Sequence, residues 1–187
     1  NLQTETIVGI EALIRWNHPV KGLVSPSYFI HIAEESELIL EIGNWVLKEG
    51  MRQMKAWQDA GLNAGKLAIN FAGKQLDSPK LISTVISTLK ETGCKASWVE
   101  MEIVERFIMK DSTKSIALLK RIRELGVDIS IDDFGTGHSS LAYLKHLPIT
   151  KLKIDQSFAQ NLAQSREDRP IARTIIELGR GLGLKVL

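Results

Sequence analysis

Cysteine is nearly absent: Cys94 is the single one in 187 residues, so no internal disulfide can form, and no Cys/His group has zinc-binding spacing. A reducing compartment is expected, with the cytoplasm as the default and a membrane tether outside this segment left open. Long apolar runs are missing as well. No window approaches the ~18 uninterrupted apolar residues of a membrane span, and Asn1 to Thr6 lack the basic and apolar regions of a signal peptide. Charge of one sign is also not in excess: 24 basic against 22 acidic side chains leave +2 and no basic stripe, so duplex nucleic acid is not an expected partner. What is present is ordinary globular composition, 44% apolar and 25% charged, which excludes disordered, collagenous and low-complexity chains. A chain of this length buries roughly 70% of its unfolded surface and fits one domain, 1–187, better than two.

Short runs rich in Ile, Val and Leu at Ile7–Ile14, Lys66–Phe71, Trp98–Val104, Asp128–Phe134 and Lys151–Ile154 read as buried strands, and Lys185–Leu187 as a further strand just begun. Helical spacing lies between them. Leu38–Ala60 carries Ile39, Ile42, Val46, Met54 and Trp57 on one stripe and is closed by Gly61; Lys114–Leu125 is followed by Gly126, and Pro170–Leu182 by Gly183. Asn17–Ser25 reads as a loop. Strand alternating with helix implies a parallel sheet with helices outside it. The first strand lacks the Gly-rich phosphate loop of a doubly wound sheet, whereas a (β/α) barrel of eight strands takes about 250 residues. The fold class expected is therefore α/β, a TIM-like barrel incomplete in these residues, with about six of eight strands and both ends truncated.

The strands share an oddity. Each apolar run carries a polar side chain at or near its carboxyl end: Glu11, then Asn70, then Glu102, then Asp132 and Asp133, then Lys153 with Asp155. Parallel barrel strands deliver those ends to one rim, where catalytic groups gather. Like charges ~4 Å apart repel by about 4 kcal/mol at an effective dielectric near 20. Either some carboxyls are protonated or cations hold them, and a metal is the simpler account. The donors are all oxygen, which suits Mg²⁺ or Mn²⁺ rather than zinc or copper. Asp132 and Asp133 can serve different ions if the turn at Gly135 ends the strand pleat, the paired-metal arrangement used for displacement at phosphorus; alternatively Asp133 caps a helix over Ser139–Leu147. Lys153, between Leu152 and Ile154, can orient or deprotonate a water or stabilise a phosphoryl oxygen. Arg15 suits either phosphate or a rim ion pair. Asp133-Phe134-Gly135 spells a kinase triplet, but no other kinase motif accompanies it. The four histidines share no spacing and read as surface or packing residues; Trp16, Trp45, Trp57 and Trp98 are expected to pack the barrel wall, with Trp16 also placed to face a ligand.

Five ordered motifs carry a resemblance: Glu11-Ala12-Leu13-Ile14-Arg15-Trp16, Ala68-Ile69-Asn70, Glu102-Ile103-Val104-Glu105, Asp132-Asp133-Phe134-Gly135-Thr136-Gly137 and Leu152-Lys153-Ile154-Asp155. With Pro26–Glu35 as a first helix, the sequence from about Ile7 to Leu187 resembles the EAL domain, the phosphodiesterase of bacterial cyclic di-GMP signalling. The resemblance implies hydrolysis of one phosphodiester of cyclic di-GMP to linear 5′-phosphorylated diguanylate with Mg²⁺ or Mn²⁺. It implies that Glu11, Asn70, Glu102 and Asp132 hold one ion and Asp133 the second, that Glu11 and Lys153 are catalytic, with Lys153 acting on the water, and that Leu13 and Arg15 contact the nucleotide. Glu105 would brace the Asp133–Ser140 loop, which in the family joins the metal site to a dimer surface, and Asp155 would support it. A homodimer and an attached sensor or cyclase domain are implied partners. The sequence departs from the family at Val104, where threonine is usual, at His138, an aromatic position, and at Ala72, a serine position. The family's opening strand and its later Ala-Glu-Gly-Val-Glu stretch fall outside these residues, so turnover is expected of a longer chain. The alternative is an EAL-like receptor that binds cyclic di-GMP without cleaving it, and a weaker one is a protein-interaction scaffold.

Overall fold

The computed structural model describes residues 1, 4–109, 112–136, 144–160 and 168–187, which group into two compact units, Asn1–Met101 and Glu102–Leu187. In the first unit, β1 (Gly9–Ala12) runs parallel to β4 (Lys66–Phe71), with Glu11 opposite Ala68 and Ala12 opposite Ile69. Between them, the expected Asn17–Ser25 loop is instead an antiparallel hairpin, β2 (Trp16–His18) with β3 (Gly22–Val24). His18 closes its turn, because Nδ1 accepts from the Val20 and Lys21 amides at 3.0 and 3.2 Å. A 3₁₀ turn (Pro26–Tyr28), α1 (Ile30–Glu34) and α2 (Leu38–Asp59) follow, then α3 (Gly73–Asp77), α4 (Leu81–Thr92) and the start of β5 (Val99–Val104), the strand next to β4.

The buried stripe of α2 is Ile39, Gly43, Leu47, Met51 and Met54, rotated by about one residue from the stripe read in the sequence. The small residues explain the rotation. Gly50 lets the helix backbone approach β4, where an added Cβ would stand 3.3 Å from Leu67 and 3.5 Å from Ile69. Trp45 is consequently 59% exposed, and Trp16 is 47% exposed, packed edge-on against His18 and Phe29 at ring separations of 4.7 and 5.9 Å. Neither fills a barrel wall as expected. Trp57 and Trp98 are half-buried.

The second unit opens within β5 and continues through α5 (Glu105–Met109), α6 (Ser112–Glu124), β6 (Asp128–Phe134), β7 (Lys151–Ile154), α7 (Gln156–Gln160), α8 (Asp168–Gly181) and β8 (Lys185–Val186). β5, β6, β7 and β8 are neighbours in that order, and β7 is parallel to both β6 and β8. Side chains alternate along β6 as far as Asp132 and along β7. Ile129 and Ile131 of β6 and Leu152 of β7 are at most 1% exposed, with α6 packed on β6 and α8 on β7; the opposite face carries Asp128, Ser130 and Asp132, and Lys151 and Lys153. The same alternation sets Lys66, Ala68 and Asn70 on one face of β4 and the buried Leu67, Ile69 and Phe71 on the other. Asn70, Glu102, Asp132 and Lys153 are thus each placed by a strand whose other face is buried. Among the described residues no helix is long and apolar enough to cross a membrane.

Candidate active site

In the first unit, the parallel register of β1 and β4 brings Glu11 beside Asn70, whose Nδ2 donates to Glu11 Oε1 at 2.8 Å. The amide nitrogen is committed to the carboxylate, so Oδ1 is the atom that Asn70 can offer a cation. Just beyond β1, Leu13 is 56% exposed and Arg15 Nη1 donates to the Ile14 carbonyl at 2.8 Å. Both residues line a cleft of about 510 Å³ whose walls include Trp45, Gln53 and Trp57.

In the second unit, Lys153 joins two acids. Its Nζ lies 2.8 Å from Glu102 Oε1 and 3.2 Å from Asp132 Oδ2, and the side chains of Lys153, Glu102 and Asp132 are 12%, 2% and 20% exposed. Charge-assisted bonds in so dry a setting are strong, and they fix Lys153 as a donor at the strand ends. Asp132 Oδ1 also accepts from the Asp133 amide at 3.1 Å.

Asp133 departs from strand geometry. Its φ is +53°, and the pairing of β6 with β7 shifts register between Ile131 and Phe134. A left-handed residue inside a strand breaks the alternation, so Asp132 and Asp133 need not point to opposite faces. The sequence placed that break at Gly135; the structure places it two residues earlier. Burial first, then the neighbouring charges of Asp132 and Asp155 and a hydrogen bond with Asp155, push the Asp133 carboxyl above the ordinary aspartate range, while Lys153 opposes the shift. Asp155 moves down, because the Ser157 hydroxyl and amide both donate to its carboxylate. Of the two hydrogen-bonded carboxyls, Asp133 is the one whose affinity for a proton is raised and Asp155 the one whose affinity is lowered, so positive charge beside Asp133 is favoured.

The turn that follows is tied down from two sides. Thr136 Oγ1 donates to the Asp133 carbonyl at 3.0 Å, and the Gly135 amide donates to Glu105 Oε2 at 3.3 Å, with Glu105 only 4% exposed. Val104 is half-buried and brings no hydroxyl to this turn. Most of the helix expected over Ser139–Leu147, with Gly137, His138 and Ser140, lies outside the described residues. The sequence reading missed Glu100, two residues before Glu102 on the same strand and 1% exposed. Its signal was present as two-residue alternation with Glu102.

In each unit taken by itself the oxygen donors are of the kind that suits a hard divalent cation: Glu11 and the Asn70 amide oxygen in the first, Glu102 and Asp132 in the second. The family model described as the EAL domain matches residues 1–187. The bifunctional diguanylate cyclase/cyclic di-GMP phosphodiesterase MucR of Pseudomonas aeruginosa is 42% identical over 181 residues, covering 97% of this chain and 26% of that protein. The cyclic di-GMP phosphodiesterase NbdA of the same organism is 41% identical over 178 residues, covering 95% and 23%. This chain spans about a quarter of the length of these relatives. Among solved structures, the PaMucR phosphodiesterase in complex with c-di-GMP superposes with a TM-score of 0.93 at 42% identity, covering 96% of this chain and 72% of that one. This likeness bears out the fold class expected from the sequence, a TIM-like α/β barrel of which these residues form part.

Proposed function

The chain belongs to the EAL domain family, and on that premise we propose that it is the phosphodiesterase part of a larger protein and hydrolyses one phosphodiester of cyclic di-GMP. One observation carries the reading: Lys153 bonded to both Glu102 and Asp132, a positive group built between two carboxylates at neighbouring strand ends. Glu11, Asn70, Glu102 and Asp132 would hold one Mg²⁺ or Mn²⁺ and Asp133 a second. When bound, such ions offset the carboxylate charge and stabilise charge developing on the phosphoryl group. Asn70 turns its oxygen outward by spending its nitrogen on Glu11. Lys153, paired with two acids, orients the attacking water and donates to a phosphoryl oxygen rather than serving as the base. Water adds to phosphorus, the bridging ester oxygen leaves with a proton, and linear 5′-phosphorylated diguanylate results. Leu13 supplies an apolar contact to the nucleotide and Arg15 a planar donor that must release the Ile14 carbonyl to reach it. Glu105 and Asp155 hold the turn after β6, the side on which a homodimer would be sensed. A cyclase or sensor domain elsewhere in the chain and a cytoplasmic location belong to the same reading.

The test is hydrolysis of cyclic di-GMP by the full-length protein with Mg²⁺ or Mn²⁺. Glu11→Ala is expected to abolish turnover, and Ca²⁺, larger and less strict in geometry, to occupy the site without supporting it. Undiminished turnover in Glu11→Ala, or equal rates with Ca²⁺, overturns the metal assignment. Val104 favours a second reading, a receptor that holds cyclic di-GMP uncleaved; binding with no product in the presence of either ion would establish it.

A further inference from the structure

Gln75 is a polar side chain that the proposed reaction does not use, yet it is only 6% exposed. Its carboxamide lies flat on α2 at Gly43, where an added Cβ would stand 2.1 Å from Nε2 and 2.4 Å from Cδ. No residue but glycine leaves that space. From there Gln75 reaches back across the first turn of α3, and Oε1 accepts from the Ala72 amide at 3.0 Å. That amide stands two residues past Asn70, where β4 has ended and α3 has not begun. An inward amide at such a junction needs a partner, and Ala72 has no side-chain oxygen with which to complete a reciprocal cap. The carboxamide of Gln75 does this alone. Phe71, 4% exposed, anchors the residue between.

We infer that Gln75, seated on Gly43, is a positioning residue that fixes the end of β4 so that Asn70 meets Glu11, and that it thereby sets the affinity of the site for its divalent ion. This rests on the metal reading above. Outer groups that orient ligands commonly change metal affinity by about 10-fold or more when removed, because a ligand free to swing must be ordered when the ion binds. A merely structural glutamine would lower stability and leave the affinity alone.

The experiment is Mn²⁺ titration of the full-length protein by calorimetry, alongside thermal melts and hydrogen exchange at the Ala72 amide. Gln75→Met keeps length and volume and removes the acceptor; it is expected to weaken Mn²⁺ about 10-fold and to expose the Ala72 amide. Gly43→Ala, which displaces the carboxamide without altering it, should do the same, and the double variant should be no weaker in Mn²⁺ binding than the poorer single one. Gln75→Glu, which retains the acceptor oxygen, should recover most of the affinity. If Gln75→Met does not fold, Gly43→Ala and Gln75→Glu decide the matter between them. Asn70→Ala separates the two levels. Loss of Mn²⁺ affinity in Asn70→Ala with wild-type affinity in the Gln75 and Gly43 variants overturns this inference alone; wild-type affinity in Asn70→Ala overturns the metal reading beneath it.

Discussion

Lys153→Met tests whether the cationic centre of the site is an electrostatic necessity. The substitution keeps the stem and deletes the ammonium that holds Glu102, a carboxylate 2% exposed, and Asp132, 20% exposed. Removing one partner of a buried ion pair costs about 3–5 kcal/mol, mostly because the other charge stays behind without compensation. Asp132 still reaches solvent and accepts from the Asp133 amide, so the lower end applies, about 3 kcal/mol. For a chain of this size that corresponds to a fall in Tm of roughly 6–12 °C in the absence of divalent ion. A divalent ion at the same carboxylates supplies the lost charge, so saturating Mn²⁺ should shrink the penalty to about 1 kcal/mol or less. Circular dichroism melts of both proteins with EDTA and with Mn²⁺ read this directly. In the same samples, binding of cyclic di-GMP should persist while turnover falls about 100-fold, the pattern of a group that acts in the transition state. An equal Tm penalty with and without Mn²⁺ would refute the reasoning, since it would mean that lysine and ion do not answer the same charge.

The sequence made the strands legible and left much of what lies between them dark, for reasons visible in particular residues. β4, β6 and β7 begin and end where their apolar runs do, because one face of each is buried without interruption. The β2–β3 hairpin escaped notice: its strands are three residues each, and Pro19 in the turn reads as a loop. α4 escaped for a different reason. Its Ser and Thr content argues against helix, yet Ser83, Ser87, Thr88 and Thr92 each donate a hydroxyl to a carbonyl three or four residues back, so the helix satisfies them itself. At the site, residue types and strand ends were readable from position alone. The left-handed conformation of Asp133 was not, because aspartate has no need of glycine's freedom to enter that region and leaves no mark in the letters. Nor was the role of Gln75, whose significance depends on a glycine 32 positions earlier in the chain (75 − 43) that only packing brings to it.

Two further outcomes bear on the turn after β6. Gly135 has φ +104°, and an added Cβ would stand 3.0 Å from Ile175 and 3.1 Å from Phe158, so Gly135→Ala should cost about 2 kcal/mol in urea unfolding from strain and crowding together; a cost below 0.5 kcal/mol would show that the turn yields easily. Asp133→Asn should raise the Tm of the ion-free protein at neutral pH. The sign follows from the carboxyl's upward shift: the folded state keeps the Asp133 proton where the unfolded chain has lost it, so this group's contribution to stability declines as pH rises from the ordinary aspartate value through the raised one. Asparagine removes that decline. The Tm difference between variant and wild type should therefore be small in acid, where both states are protonated, and grow toward neutrality. Any benefit from asparagine's tolerance of φ +53° is independent of pH and adds only a constant. Mn²⁺ should then reverse the order, raising the wild-type Tm more than that of the variant, because the carboxylate that destabilises the empty fold is the one that receives the ion. A Tm difference that does not change with pH would mean that burial and the Asp132 and Asp155 charges do not raise the Asp133 carboxyl in the folded protein, and the case for a second cation at Asp133 would go with it.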